Sequence, residues 1–332
     1  MRPEDGYIAY IVNPRSGPSS AKPIGRQFQQ YLLDRGFDVR VHITTSLEHA
    51  RQLAANAAAS YDCTLAVAVG GDGTIREVAH GLEGSDKPLL IVPHGTENLL
   101  ASELGLDQRL ATLIRTFEVE HLKPLDLGSS NGRCFTSIAG FGFDGRVVRR
   151  VHNQRTGNIS YLDYFWPIWR TFWDYKFDPI NVQVDGREVF QGRCVVFVGN
   201  ISRYAVGLRI LQYADYGDGL LDVCIYKCAS RLGLVRHLVT TLLKRHTKSR
   251  DVIYHQGKDI YISSDSAAIE TQIDGDPGPP LPARITVIPH AVNIVVPEAA
   301  KPTPIKARVK GAVKTEKSGA KRGQRPPARN KR

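Results

Sequence analysis

Five consecutive residues, Gly70-Gly71-Asp72-Gly73-Thr74, have the types and the order that could handle a phosphate. The apolar run Cys63–Val69 ahead of them reads as a buried strand, and Ile75–His80 behind them as the start of a helix. Glycines in such a turn carry no Cβ, so a phosphate can approach the backbone closely. The N–H groups of the turn point at it, and the helix dipole adds partial positive charge. A carboxylate is unwelcome there unless it works through a magnesium ion or the reacting hydroxyl, which makes Asp72 a candidate for chemistry. The plainer alternative is a tight turn with an Asp N-cap. GxxxxGK followed by Ser or Thr is absent, which excludes a Walker-type loop.

A second glycine loop, Pro93-His94-Gly95-Thr96-Glu97-Asn98-Leu99-Leu100-Ala101, follows the next apolar run. Two adjacent strands with polar, glycine-containing ends make a crevice at the carboxyl edge of a sheet, where ligands bind in open α/β folds. His94 could touch a phosphate there, though no partner for it is evident.

Such an edge needs parallel strands to build it. Up to residue 121, strand-like runs (Tyr7–Val12, Asp38–Ile43, Cys63–Val69, Leu89–Val92) alternate with helical ones (Ile24–Arg35, Leu47–Ala59, Ile75–His80, Thr96–Leu104). Continuous apolar strands between helices predict an α/β domain over 1–121 with a parallel sheet. Beyond Leu122 short strands dominate: Arg133–Ala139, Ile180–Val184, Gly192–Gly199, Leu220–Tyr226, Asp259–Ser263, Thr271–Ile273 and Arg284–Val287. The Asp185-Gly186 and Asp274-Gly275 pairs signal hairpins, so residues 122–300 are expected to form a mainly antiparallel β-sandwich domain. Helices are expected near Ile159–Trp173 and Leu232–His246, the second a structural helix with a basic end suited to its dipole.

The motifs, taken in order, resemble the diacylglycerol kinase catalytic-domain family, which includes bacterial lipid kinases and the sphingosine and ceramide kinases. Asn13-Pro14 with Ser16-Gly17 resembles its opening strand and loop, and Thr44, six residues before Ala50, a nucleotide-contacting threonine. Gly70–Thr74 matches GGDGT, Glu77 a following acid, and Pro93–Ala101 PxGTxNxxA. Asp126-Leu127-Gly128, Ala139–Asp144, Ala214 with Asp218-Gly219, and Asp274-Gly275-Asp276 match the later motifs. GGDGT alone is shared with NAD kinases and phosphofructokinases, whose type of α/β domain the resemblance implies; the combination is specific.

The resemblance implies an ATP- and Mg2+-dependent kinase that phosphorylates a membrane-lipid hydroxyl. Asn13, Thr44, Gly70, Gly71, Asp72, Gly73, Thr74 and Thr96 would hold ATP. Asp72 and Asp126 would lie in the magnesium–water network, and Asp276 would take the lipid hydroxyl proton. Asp218, with backbone carbonyls of Asp215 and Leu220, would form a second, stabilising magnesium site. Many members carry Glu where this chain has Asp276, and Tyr204-Ala205-Val206-Gly207 is less glycine-rich than usual. Diacylglycerol, a sphingoid base, ceramide, a monoacyl lipid and a phosphatidylglycerol-type headgroup all offer a suitable hydroxyl.

The net charge of +11 is local. Residues 301–332 hold twelve Lys/Arg against Glu316 alone, so the remainder is neutral. This Pro-, Ala- and Lys-rich segment reads as a disordered tail, able to bind anionic lipid or, non-specifically, nucleic acid. It lacks the interleaved aromatics of a dedicated nucleic-acid site. A solubilising tail with no partner is the plain alternative. All three tryptophans (Trp166, Trp169, Trp173) share a helical face in Tyr161–Phe177, preceded by Arg146, Arg149, Arg150 and Arg155. That pairing favours a bilayer interface bordering the acyl-chain entrance, against a plain core helix. Five cysteines without CxxC pairing suit reduced, buried thiols in a cytosol. With no apolar leader or spanning run, the expectation is a cytoplasmic, peripherally membrane-associated enzyme; a homodimer stays open. Gly140–Gly145 spells GxGxxG but stands outside any opening βαβ unit. Two rival functions are an NAD kinase and an inactive lipid- or nucleic-acid-binding relative. Against the second, every acidic motif position is occupied.

Overall fold

The computed structural model describes residues 2–17, 22–154 and 161–298. The basic segment 301–332 and Arg155 lie outside them. Four parallel strands open the chain: β1 (Tyr7–Val12), β2 (Asp38–Ile43), β3 (Cys63–Gly70) and β4 (Leu89–Pro93), in the order β2-β1-β3-β4. Nearly every residue of β1, β3 and β4 is buried, as continuous apolar runs covered on both faces require. Helices α1 (Lys22–Asp34) and α5 (Leu110–Val119) meet through Phe28 and Phe117, their rings edge to face with centroids 6.0 Å apart. α2 (Leu47–Ala59) packs on α3 (Asp72–Gly81) with Ala50, Ala54 and Ala57 inward. Ser46 caps α2 by accepting the His49 amide at 3.0 Å.

The helix expected over Thr96–Leu104 is shorter: α4 covers Leu99–Glu103. Asn98 takes a left-handed φ of 49°, its Oδ1 accepts the Gly95 amide at 2.7 Å, and its Nδ2 donates to the Gly95 carbonyl at 2.9 Å. That clasp holds residues 95–98 as a loop.

The antiparallel part comprises β5 (Leu122–Ser130), β6 (Arg133–Phe135), β7 (Ile138–Phe141), β8 (Pro179–Val184), β9 (Arg187–Gly199), β10 (Leu221–Lys227), β11 (Val252–Gly257), β12 (Asp259–Ser263), β13 (Thr271–Ile273), β14 (Asp276–Pro277) and β15 (Ala283–Val295). Strand β9 serves two sheets: residues up to Arg193 pair with β8, and those from Cys194 pair with β7 and β10. Between the sheets lies one apolar core, with Val196 and Val198 of β9 facing Ile260 and Ile285 among others. The run expected as one strand over Arg133–Ala139 breaks at Thr136-Ser137, whose amides turn to Asp274.

Helix α6 (Phe143–Asn153), unforeseen, buries Val147, Val148 and Val151. Helix α7 (Tyr161–Asp174) follows, and α8 (Arg231–Leu242) ends four residues before the expected His246, with Lys244 left-handed beyond it. Strand β15 runs well past the expected Val287: Ile294 pairs in parallel with Leu89 of β4, and Val296 donates its amide to the His121 carbonyl at 2.9 Å. The last described strand thus completes the first sheet. All five cysteines are free and buried, and burial raises every thiol pKa.

Candidate active site

The carboxyl ends of all four parallel strands carry the residues singled out for nucleotide contact. Asn13 follows β1, Thr44 follows β2, Gly70 ends β3, and Thr96 lies beyond β4. The Asn13 side-chain amide donates to Thr74 Oγ1 at 2.8 Å, and the His94 amide donates to the Gly70 carbonyl at 2.8 Å. The two glycine loops cross in backbone contact: a Cβ on Gly95 would lie 2.6 Å from the Gly71 Cα. Only glycine allows that approach. His94 is buried, and among the described residues neither ring nitrogen has a partner.

Asp72 opens α3. One carboxylate oxygen, Oδ1, is buried and has no partner among the described residues, although the residue as a whole reaches solvent. Burial, then the nearby charge of Asp274, push its pKa up to about 7, against the lowering effect of the Leu100 and Leu99 amides at the start of α4. A carboxylate held this way has the chemistry of a hard-cation ligand, because a cation would relieve both causes of the shift.

Asp276, from the far part of the chain, comes to the same loop. A Cβ on Gly73 would sit 4.0 Å from its Oδ2. The buried Arg76 of α3 donates Nη2 to that oxygen at 3.1 Å, Nη1 to the Ile273 carbonyl at 3.5 Å, and Nε to Glu77 at 3.1 Å. Burial opposes its charge, but Asp274, Asp276 and Glu77 outweigh that and raise its pKa. Arg133 stands 3.7 Å from the same Asp276 oxygen and donates to the Pro277 carbonyl at 2.6 Å.

Asp274 has a different part. In a left-handed turn (φ 47°) it accepts the amides of Thr136, Ser137 and Ile138 at 2.9–3.0 Å. Burial raises its pKa in spite of Arg76 and these donors. It ties the β13–β14 turn to the β6–β7 break and so sets where Asp276 stands.

Asp126 is grouped elsewhere. Fully buried in β5, it accepts the Gly219 amide on Oδ2 and the His290 amide on Oδ1, both at 2.6 Å. Burial raises its pKa, the two amides lower it, and Asp215 raises it. Asp218 is raised by burial and then, with the Leu220 amide opposing, by Asp215 and Asp126. Its Oδ1 accepts the Leu220 amide at 3.0 Å. Asp126, Asp215 and Asp218 thus repel one another near the glycine loop Gly217 to Gly219, but their carboxylate oxygens do not all come within 4.8 Å of one another.

A further pair, the buried Asp144 and the half-buried Tyr204, bridges α6 and the segment after β9, with the tyrosine hydroxyl donating to Oδ1. Burial pushes Asp144 up to about 6, while Tyr204 and Gln272 lower it. Neither Arg76 and Arg133 nor the contact between Asp144 and Tyr204 is among the site residues expected from sequence. A lone Arg inside GGDGTIRE was the available signal, since a helix facing a core seldom carries one. On α7, Trp166, Trp169 and Trp173 are about half exposed, which excludes a plain core helix.

Residues 8–130 match the diacylglycerol kinase catalytic domain, and residues 137–296 match the YegS C-terminal NAD kinase beta sandwich-like domain. A diacylglycerol kinase of Mycobacterium tuberculosis is 30% identical over 303 residues, 89% of this chain and 97% of the relative. One from Bacillus subtilis is 27% identical over 292 residues, 87% and 95%. In fold, the crystal structure of a diacylglycerol kinase from Bacillus anthracis superposes with a TM-score of 0.65 at 20% identity, covering 89% of this chain and 98% of that one. Yeast NADH kinase reaches 0.50 at 13% identity, over 87% and 82%. The α/β sheet joined to a β-sandwich is thus common to both kinds of kinase. With a 30% identical relative matched over nearly its whole length, the chain belongs to the diacylglycerol kinase family and is a lipid kinase, a phosphotransferase with an alcohol group as acceptor.

Proposed function

We propose that the chain transfers the γ-phosphoryl group of ATP to a hydroxyl of a membrane lipid, of diacylglycerol type before a sphingoid base or ceramide. The carrying observation is Asp276, held by Arg76 beside Gly73 of the phosphate-binding loop. Asn13, Thr44, Gly70–Thr74 and Thr96 hold the nucleotide at the strand ends, where backbone N–H groups meet the phosphates. Asp276 takes the hydroxyl proton as the lipid oxygen forms its bond to the γ-phosphorus and the bond to ADP breaks. Asp72 belongs to the magnesium–water network, whose Mg2+ would neutralise charge on the phosphates, and Asp126, each of whose oxygens accepts a backbone amide, would join it through water. Asp218, with the Asp215 and Leu220 carbonyls, holds a second ion that stabilises the fold near β10.

Residues 1–121 act as the nucleotide half, 122–300 as the lipid half, and 301–332 as a basic tether. The enzyme works at the cytoplasmic membrane face, with α7 bordering the acyl-chain entrance. No helix among the described residues is long and apolar enough to cross a membrane, so contact with the bilayer is peripheral in this reading. A homodimer is compatible with it, and no dedicated nucleic-acid partner is invoked.

The test offers magnesium and γ-labelled ATP with a panel of mixed-micelle lipids and free NAD, wild type beside Asp72→Ala. Label entering a lipid in the wild type alone is expected and names the acceptor. Label in NAD alone overturns the reading.

A further inference from the structure

Two neighbouring helices present the wrong face to water. α7 buries Pro167 and Thr171 and exposes Phe165, Trp166, Trp169 and Trp173. α8 does the same: His237 and Thr241 are inside, bonded to the Lys227 carbonyl and the Tyr226 hydroxyl. Its outer face carries Leu232, Val235, Val239 and Leu242, spaced at helical intervals, with Leu232 78% and Leu242 60% exposed. A water-facing helix surface more apolar than the buried one marks a contact site.

The helices are joined. Arg231, at the start of α8, donates Nε to the Phe172 carbonyl at 3.0 Å, and its guanidinium lies 5.6 Å from the Trp173 ring centroid. Basic groups rim the surface: Arg170 stands 5.3 Å from the Trp166 ring centroid, and Lys244 and Arg245 follow α8, both exposed. A cleft of about 470 Å³ beside α7 sets Arg170, together with Arg150 in its pair with Asp174, among the three indoles.

We infer that α7 and α8 together form one membrane-docking surface, whose occupant is an anionic phospholipid bilayer. Indoles and guanidiniums suit the headgroup layer, and the leucines and valines of α8 enter below it. A second copy of the chain on this face would set one basic rim against another, a repulsive arrangement in a two-fold contact. The inference deepens the lipid-kinase reading by assigning half of the membrane contact to α8.

The test measures vesicle co-sedimentation without ATP, on phosphatidylcholine alone and on the same lipid doped with phosphatidylglycerol. Leu232→Gln with Leu242→Gln should lower partitioning onto the doped vesicles roughly ten-fold or more, as the loss of two inserted side chains implies. Phosphorylation of a short-chain, monomeric lipid should be unchanged, because neither leucine touches the site. A fluorophore on Leu242→Cys, selective because the native thiols are buried, should shift to the blue on the vesicles. Unchanged partitioning together with an unshifted fluorophore overturns the inference. So does a dimer, seen by light scattering, that the double variant dissolves. Docking through α8 with no lipid phosphorylated would overturn the kinase reading and leave this one standing.

Discussion

Arg76 and Asp276 lie 200 residues apart in the chain and 3.1 Å apart in space, guanidinium Nη2 to carboxylate Oδ2. One belongs to the helix that opens within the glycine loop Gly70–Thr74, the other to the β13–β14 strand pair. The pair is the joint between the two halves of the proposed reaction. Because Arg76 is almost fully buried, its charge is uncompensated without these carboxylates.

Replacing Arg76 by Met should therefore destabilise the protein by about 3–5 kcal/mol, since Asp274 loses its nearby cation and Asp276 keeps only Arg133, at 3.7 Å. Urea unfolding measures it. Asp276→Asn in the Met background should restore part of the loss, and additive effects would show that the two residues do not interact.

Asp276→Asn alone should reduce kcat by about 10²–10⁴-fold, the range for loss of a general base, and leave ATP affinity within about two-fold. Steady-state transfer of labelled phosphate and nucleotide titration separate the two quantities. A parallel loss of ATP affinity would instead make Asp276 a nucleotide-positioning group.

Asp274→Ala removes the acceptor of three backbone amides. Leaving those donors without a partner should cost about 3 kcal/mol or more. Activity should fall even under conditions where the variant is fully folded, because the β13–β14 turn no longer fixes Asp276. Wild-type activity in a folded variant would remove the positioning role.

The stability of the protein should depend on pH through Asp144, whose pKa is pushed up to about 6, mainly by burial, from 3.8. Between those values the folded state binds more protons than the unfolded one, so stability falls as pH rises. Asp144→Asn lacks this term. Its melting temperature should approach wild type near pH 4 and exceed it near pH 7, by an amount equivalent to at most about 3 kcal/mol. A constant difference across that range would contradict the assignment.

Much of this arrangement could be read ahead of the coordinates. Gly70–Thr74 announced itself because glycines follow an uninterrupted apolar strand, and the four strand ends followed from alternation with helices. What stayed hidden depended on contacts distant in sequence. Asp274 looks like a hairpin residue, and only the broken edge at Thr136-Ser137 reveals its partners. Asn98 fits a helical run until its left-handed backbone and clasp on Gly95 move the helix start. The α8 pattern invites the assumption that apolar means inward. There the buried positions are His237 and Thr241, satisfied by Lys227 and Tyr226, and no periodicity distinguishes the two faces.

The return of β15 to β4 also bears on how the protein is made. A ribosome delivers β1 to β4 first, but the strand that meets Leu89 emerges only after the whole sandwich has been synthesised. Until then the growing chain carries an uncovered sheet edge, the kind of surface that recruits chaperones or wrong partners. Premature termination ahead of Val296 would therefore harm the nucleotide end of the molecule as well as the lipid end. The first half must wait for the last strand.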